Sequence, residues 1–189
     1  STGSSADGSS GDILMSVGTS GSGVGGGLRL LGGSNVVGTG GMVHVASGGS
    51  VNGISGEIAI GSGAGKSSGN IAISTGIAVG GASGDILINT GLSKDGVGGS
   101  ITLQVGDHEQ AAGGDISIFG GGARSQTGGS LLLKSGESEN LVSGALDVST
   151  AQGNIGSGRV MIESGASTMG ASGSIGVVTG AAGGSGSGS

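Results

Sequence analysis

The stretch that decides the predicted fold is Ser83-Gly84-Asp85-Ile86-Leu87-Ile88-Asn89-Thr90-Gly91. After Gly84, aliphatic residues at Ile86 and Ile88 alternate with less regular residues, and a second Gly closes the phrase. Alternation with a period of two is typical of a strand with one buried face. Phrases of this kind begin at twelve places: Asp12, Gly27, Met42, Glu57, Asn70, Asp85, Ser100, Asp115, Ser130, Ala145, Arg159 and Ser174.

The spacing of these phrases is nearly constant. Nine of the eleven intervals are 15 residues, and the other two are 13 and 14. A fixed short period predicts a solenoid, in which each repeat is one turn stacked on its neighbours. The sequence therefore predicts an all-β fold, a parallel β-helix (β-solenoid) of about twelve to thirteen turns, with ~15 residues per turn and a thin aliphatic core.

Each turn can be numbered from the first residue of its phrase. Positions 2 and 4 are aliphatic or Met in all twelve turns, and position 6 is small, so all three are predicted to point inward. Position 7 is Gly in eleven turns, which favours a corner with positive φ. The last residue, the closing Gly, is Gly in all eleven complete turns. The small residue two places before it is interpreted as a second, shorter strand packed on the first.

Composition narrows the class of protein. The 189 residues include 52 Gly and no Pro or Cys, which excludes collagen, disulfides and Cys-based metal sites. Gly and Ser at this density are typical of a flexible linker, but the regular aliphatic columns argue against that alternative. The net charge of −6 gives no basic footprint for nucleic acid, and no apolar run reaches the ~20 residues of a membrane span.

Two surface features are predicted from the repeat register. Position 10 alternates in charge over four successive turns, so stacking would form an inter-turn charge ladder that fixes register. Its members are Lys94, Glu109, Arg124 and Glu139. The residue before each closing Gly is always Gly or Ser, which predicts a flat, side-chain-poor packing face. That face comprises Gly25, Gly40, Ser55, Ser68, Ser83, Gly98, Gly113, Gly128, Ser143, Ser157 and Ser172.

The repeat frame extends to both ends of the chain. Residues 1–189 are therefore predicted to form a single repeat array, either as a segment of a longer array or as copies that stack end to end. Residues 181–189, rich in Gly and Ser, could alternatively form a flexible tail.

Motifs of catalysis are weak in this sequence. Residues 21–26 fit the dinucleotide pattern G-x-G-x-x-G, which chance produces readily in a Gly-rich chain, and no helix is predicted to follow. Residues 61–67 imitate a phosphate-binding loop whose first Gly is misplaced by one residue. His44 and His108 are more than four turns apart and share no metal. We predict no enzyme activity and no cofactor.

The phrases at 83–91 and at 113–118 resemble the Gly/Ser-rich repeats of large secreted proteins of diatoms and related algae. The resemblance implies an extracellular wall, adhesive or filament role. The leading hypothesis is a structural protein at the cell surface or outside the cell, forming a fibre, stalk or coat by solenoid stacking or lateral packing. Its partners would be copies of itself, a polysaccharide or a mineral surface.

Two alternatives stay open at the level of sequence. Fifteen-residue turns also resemble those of some insect ice-binding proteins, although the exposed columns here lack their regular Thr rows. An adhesin or phage-fibre shaft has the same predicted shape and would carry a separate tip domain. Neither alternative supplies catalytic residues.

Overall fold

The structure is a computed structural model, and it describes residues 3–5 and 8–183. Those residues contain no helix and no strand; they form coil interrupted by short bends. Eleven bends of two or three residues recur along the chain at intervals of 14 or 15 residues. They lie at 21–23, 36–38, 51–53, 65–67, 79–81, 94–96, 109–111, 124–126, 139–141, 154–155 and 168–170.

The predicted β-solenoid is wrong. A stacked parallel β-helix would place most residues about 4.8 Å from their equivalents one turn away, joined by ladders of backbone hydrogen bonds. In the described ranges, contacts between residues twelve or more apart in sequence are few, and no pair of strands exists. The all-β fold and the parallel β-helix of twelve to thirteen turns are therefore corrected to a coil with periodic bends.

The predicted thin aliphatic core is also wrong. Throughout the described residues no side chain is buried, and every large aliphatic side chain is exposed to solvent. The accessible surface is 18687 Å². A compact protein of this mass would expose about 7,800 Å² and its fully unfolded chain about 24,800 Å², so most of the surface that folding could remove stays in water.

Two further predictions about the turn are also wrong. The column assigned to a second, packed strand is almost fully exposed, as at Val24, Ile54 and Val97. Position 7 does not adopt positive φ, since among the described residues positive φ occurs at Gly23 and Gly80, both inside bends. The physical reason for Gly at position 7 is not steric, because an added Cβ at Gly33 or Gly121 would meet nothing within 4 Å.

The contacts of the chain divide into two units, Ser1–Gly91 and Leu92–Ser189. The first unit contains the five bends from 21–23 to 79–81, and the second contains the six from 94–96 to 168–170. The prediction of a single array over residues 1–189 stays a prediction. Of the possible tail at 181–189, residues 184–189 lie outside the described part.

The described residues form no sheet because each turn contains little apolar surface and many Gly residues. Gly loses more backbone freedom on ordering than any other residue and contributes no side chain to bury. Each turn has two large aliphatic columns among roughly fifteen residues, many of them Gly. With so little apolar surface per ordered residue, burial does not offset the loss of conformational entropy. Local turn chemistry is then the main source of order within a turn.

Candidate functional site

The repeat survives in the structure as a set of regularly placed bends. In ten of the eleven complete turns the bend begins at position 10, and in the 13-residue turn it begins at position 9. The bends therefore follow the same register as the aliphatic phrases. The period of the repeat is therefore visible in the structure, although the fold predicted from it is wrong.

In many of these bends the side chain at position 9 accepts a hydrogen bond that stabilises the bend. In five turns it is Asn or Ser, and its side-chain oxygen accepts a hydrogen bond from the backbone N–H of position 12. This is the turn in which a short polar side chain takes the place of a backbone acceptor. The pairs are Asn35–Gly38 at 2.8 Å, Ser50–Gly53 at 2.9 Å, Ser93–Gly96 at 3.1 Å, Ser138–Leu141 at 3.0 Å and Ser167–Gly170 at 3.0 Å.

Two of the position-9 side chains make a second bond. Asn35 Oδ1 also accepts the N–H of Val37 at 2.8 Å, and Ser93 Oγ also donates to the carbonyl of Gly96 at 2.9 Å. Ser20 occupies position 9 of the first turn and donates to the carbonyl of Ser22 at 2.6 Å. The other five turns have Gly, Ala or His at position 9, and no such bond is found at these described positions.

We expect Asn35→Ala to loosen the bend at 36–38, because it removes the acceptor of two N–H groups. Amide hydrogen exchange of Val37 and Gly38 should accelerate about two- to tenfold, the effect of losing one net hydrogen bond. Ser34→Ala, one residue earlier and without a hydrogen bond in the described chain, is the matched control. Equal exchange in the two variants would contradict the role of Asn35.

A backbone hydrogen bond joins the two ends of some of the loops that carry the bends, and we call this junction the neck of the loop. In four turns the N–H of the closing Gly donates to the carbonyl of position 7, eight residues earlier. The bonds are Gly41 to Gly33 at 2.7 Å, Gly56 to Gly48 at 2.9 Å, Gly129 to Gly121 at 2.8 Å and Gly144 to Gly136 at 2.9 Å. Positions 7 to 15 of these turns therefore form closed loops.

In some turns the closing Gly is sterically restricted. A Cβ added at Gly41 would lie 2.8 Å from the backbone nitrogen of Gly33, and one added at Gly26 would lie 2.7 Å from a Val17 methyl. Separations below 3.0 Å require the neighbour to move. At Gly56, Gly114 and Gly129 the nearest atom would be 3.0 to 3.3 Å away, whereas at Gly69, Gly84, Gly144, Gly158 and Gly173 it would be 3.5 to 3.8 Å away. Crowding by position 6 or position 7 therefore accounts for the closing Gly in some turns only.

The size of the residue at position 6 correlates with closure of the neck. It is Gly or Ser in all four closed turns, namely Gly32, Ser47, Gly120 and Ser135. It is β-branched in five turns that lack the bond in the described chain, namely Val17, Thr75, Thr90, Val105 and Thr150. Ser62 and Ser164 also belong to turns without the bond, so a small residue permits closure without ensuring it.

The aliphatic columns are exposed, but unequally. Ile86 at position 2 is 52% exposed, whereas its neighbour Leu87 at position 3 is 82% exposed. Positions 2 and 4 are all between 49% and 94% exposed. Among the described residues the least exposed are Ser135 and Ser164, both at position 6. Positions 2, 4 and 6 are thus partly covered, and their apolar side chains still meet water.

The predicted charge ladder lies on the bends. Lys94, Glu109, Arg124 and Glu139 are each the first residue of a three-residue bend, and all are exposed. The predicted flat face is exposed as well, from Gly25 through Ser172. Pairing along the ladder and packing on the face both remain predictions.

Across residues 3–5 and 8–183 there is no pocket, and no cluster of His and carboxylate side chains is placed to hold a metal ion. Comparison with protein-family models, with curated proteins and with solved structures gives no match for this chain. None of the helical structure needed for a membrane span occurs in the described residues. The position-9 bends, the necks and the exposed aliphatic columns are therefore the candidate functional features.

Sequence reasoning missed the role of position 9. The signal was present, because Ser or Asn stands there in six of eleven turns and Gly often follows three residues later. That spacing matches a turn closed by a side-chain oxygen. The predicted second strand and the predicted corner at position 7 left position 9 without a role.

Proposed function

We propose that this chain is a structural component of an extracellular fibre, stalk or coat, and that it assembles by lateral packing of copies through its aliphatic columns. The observation that carries the proposal is the exposure of the columns at positions 2 and 4 in every turn. All 24 side chains of these columns are at least 49% exposed, and apolar surface left in water on this scale marks an interaction site.

The backbone supports the same proposal. The described residues make four backbone hydrogen bonds and eight that involve side chains, whereas globular proteins make about one per residue. Nearly every N–H and C=O group in the aliphatic phrases is therefore free to pair with another chain. A second copy carries the same phrases at the same spacing, so it can match many of them at once.

The external location rests on the resemblance of residues 83–91 and 113–118 to Gly/Ser-rich secreted repeats. Labelling of intact cells with an antibody to the chain tests it, and signal confined to the cytoplasm would contradict it.

The net charge of −6 is low for a chain of 189 residues, so electrostatic repulsion between copies is modest.

Assembly is tested by sedimentation velocity of the purified chain over a range of concentrations, together with electron microscopy. We expect a monomer at high dilution and growth into extended or sheet-like particles as concentration rises. A chain that stays monomeric at every soluble concentration would overturn the proposal.

A further inference from the structure

Two bends contain a dipeptide that is prone to spontaneous rearrangement. Asn52-Gly53 is the one Asn-Gly pair of the chain, and Asp95-Gly96 is one of its two Asp-Gly pairs. Both occupy positions 11 and 12 of their turns, within the bends 51–53 and 94–96. In both, the Gly N–H donates to the hydroxyl of the Ser at position 9, Ser50 at 2.9 Å and Ser93 at 3.1 Å.

We infer that Asn52 and Asp95 are modification sites of the intact chain, and that the hydroxyls of Ser50 and Ser93 restrain their conversion to succinimide. The nitrogen of the following Gly is the nucleophile of this reaction, and it must lose its proton to attack. Hydrogen-bonded amide protons are removed slowly, which is the basis of protection in amide exchange. The Ser hydroxyl therefore holds the attacking group in its unreactive form.

The chemistry at Asn52 needs no reagent except water. The nitrogen of Gly53 forms a bond to Cγ of Asn52, the bond from Cγ to Nδ2 breaks, and ammonia leaves with the amide proton. Water then opens the five-membered ring. Attack at Cγ gives aspartate, and attack at the main-chain carbonyl gives isoaspartate, which adds one carbon to the backbone path. Neither outcome involves oxidation or reduction.

At Asp95 the same ring forms with loss of water from the protonated carboxyl group, and rehydration returns aspartate or isoaspartate. The bend leaves both sites open to this reaction. Both are exposed, and a Cβ added at Gly53 or Gly96 would have the Ser oxygen as its nearest neighbour, at 3.1 and 3.3 Å, with no backbone atom of another segment close by. Restraint therefore comes from the hydrogen bond and not from burial.

Ser93 should act more strongly than Ser50, because it also donates to the carbonyl of Gly96 at 2.9 Å and so fixes the bend twice. Asn140-Leu141 offers an internal comparison. Ser138 holds the N–H of Leu141 at 3.0 Å in the same register, but the Leu side chain hinders attack, so Asn140 should stay unmodified.

The test follows the full chain, at a concentration where it is monomeric, during incubation at neutral pH. Peptide mapping by mass spectrometry measures deamidation at position 52 and isoaspartate at positions 52 and 95. Ser50→Ala should accelerate modification of Asn52 about two- to tenfold, as expected from loss of one hydrogen bond. Ser93→Ala should accelerate that of Asp95 by at least as much. Ser50→Thr and Ser93→Thr, which keep the hydroxyl, should stay near the original rates.

Ser167→Ala is the matched control, because it removes the same hydrogen bond to Gly170 in a bend whose position 11 is Met169. It should leave both rates unchanged. The inference is overturned if Ser50→Ala and Ser93→Ala modify no faster than the original chain, or if the Thr variants react as fast as the Ala variants. Because the measurement is made on monomers, its outcome is independent of whether the chain assembles.

Discussion

Ile101→Asp combined with Leu103→Asp should abolish assembly at concentrations where the original chain associates. Both side chains belong to the aliphatic columns, at 60% and 71% exposure. Packing one large aliphatic side chain against a second copy is worth about 1.5–3 kcal/mol. Because these two side chains are already about one third covered, losing both should raise the concentration needed for assembly by about one to three powers of ten, and the added charges will oppose association further.

The interleaved positions supply the control. Thr102→Asp combined with Gln104→Asp adds the same charge to the same stretch, at positions 3 and 5, and should shift assembly far less. Sedimentation velocity compares the three chains. If both double variants weaken assembly equally, general repulsion and not the aliphatic columns controls association, and the proposed interface is wrong.

The period of the repeat could be predicted from the sequence, but its packing could not. The spacing of the aliphatic phrases has the same register as the bends, which begin at position 10 in ten of the eleven complete turns, although the sequence predicts the corner at position 7. Alternation around Ile86 predicts which side chains share a face, and the lower exposure of Ile86 than of Leu87 agrees with that. Alternation does not say that a face is buried, because burial depends on how much apolar surface each ordered residue contributes.

The Gly content predicts the lack of a folded core better than the aliphatic periodicity does. Gly at more than a quarter of positions raises the entropy of the disordered chain in every turn, and this effect outweighs two aliphatic columns. The signal for the bends lay in Asn35 and the Ser residues at position 9, whose reach of three residues is local and independent of stacking. Features set by neighbours in sequence were predictable, whereas contacts between turns were not.

Ser135→Val should open the neck of its loop. The bond from Gly144 N–H to Gly136 C=O is 2.9 Å long, and Ser135 Cβ lies 3.5 Å from the place of a Cβ on Gly144. In the turn of Val105, a branch methyl already stands 3.0 Å from the equivalent place on Gly114, and no neck bond forms in that described loop. A β-branched side chain at position 135 will press on the closing Gly in the same way.

Amide hydrogen exchange of Gly144 measures the effect. It should accelerate about two- to tenfold in Ser135→Val, the range of one net hydrogen bond, while Ser135→Ala should keep the protection of the original chain. The pair separates size from hydrogen bonding, since Ala removes the hydroxyl without adding a branch. If Ala and Val expose Gly144 equally, the hydroxyl of Ser135 and not its small size keeps the neck closed. Ser135 and Gly120 would then permit neck closure for different reasons, because the turn of Gly120 closes without a side chain at position 6.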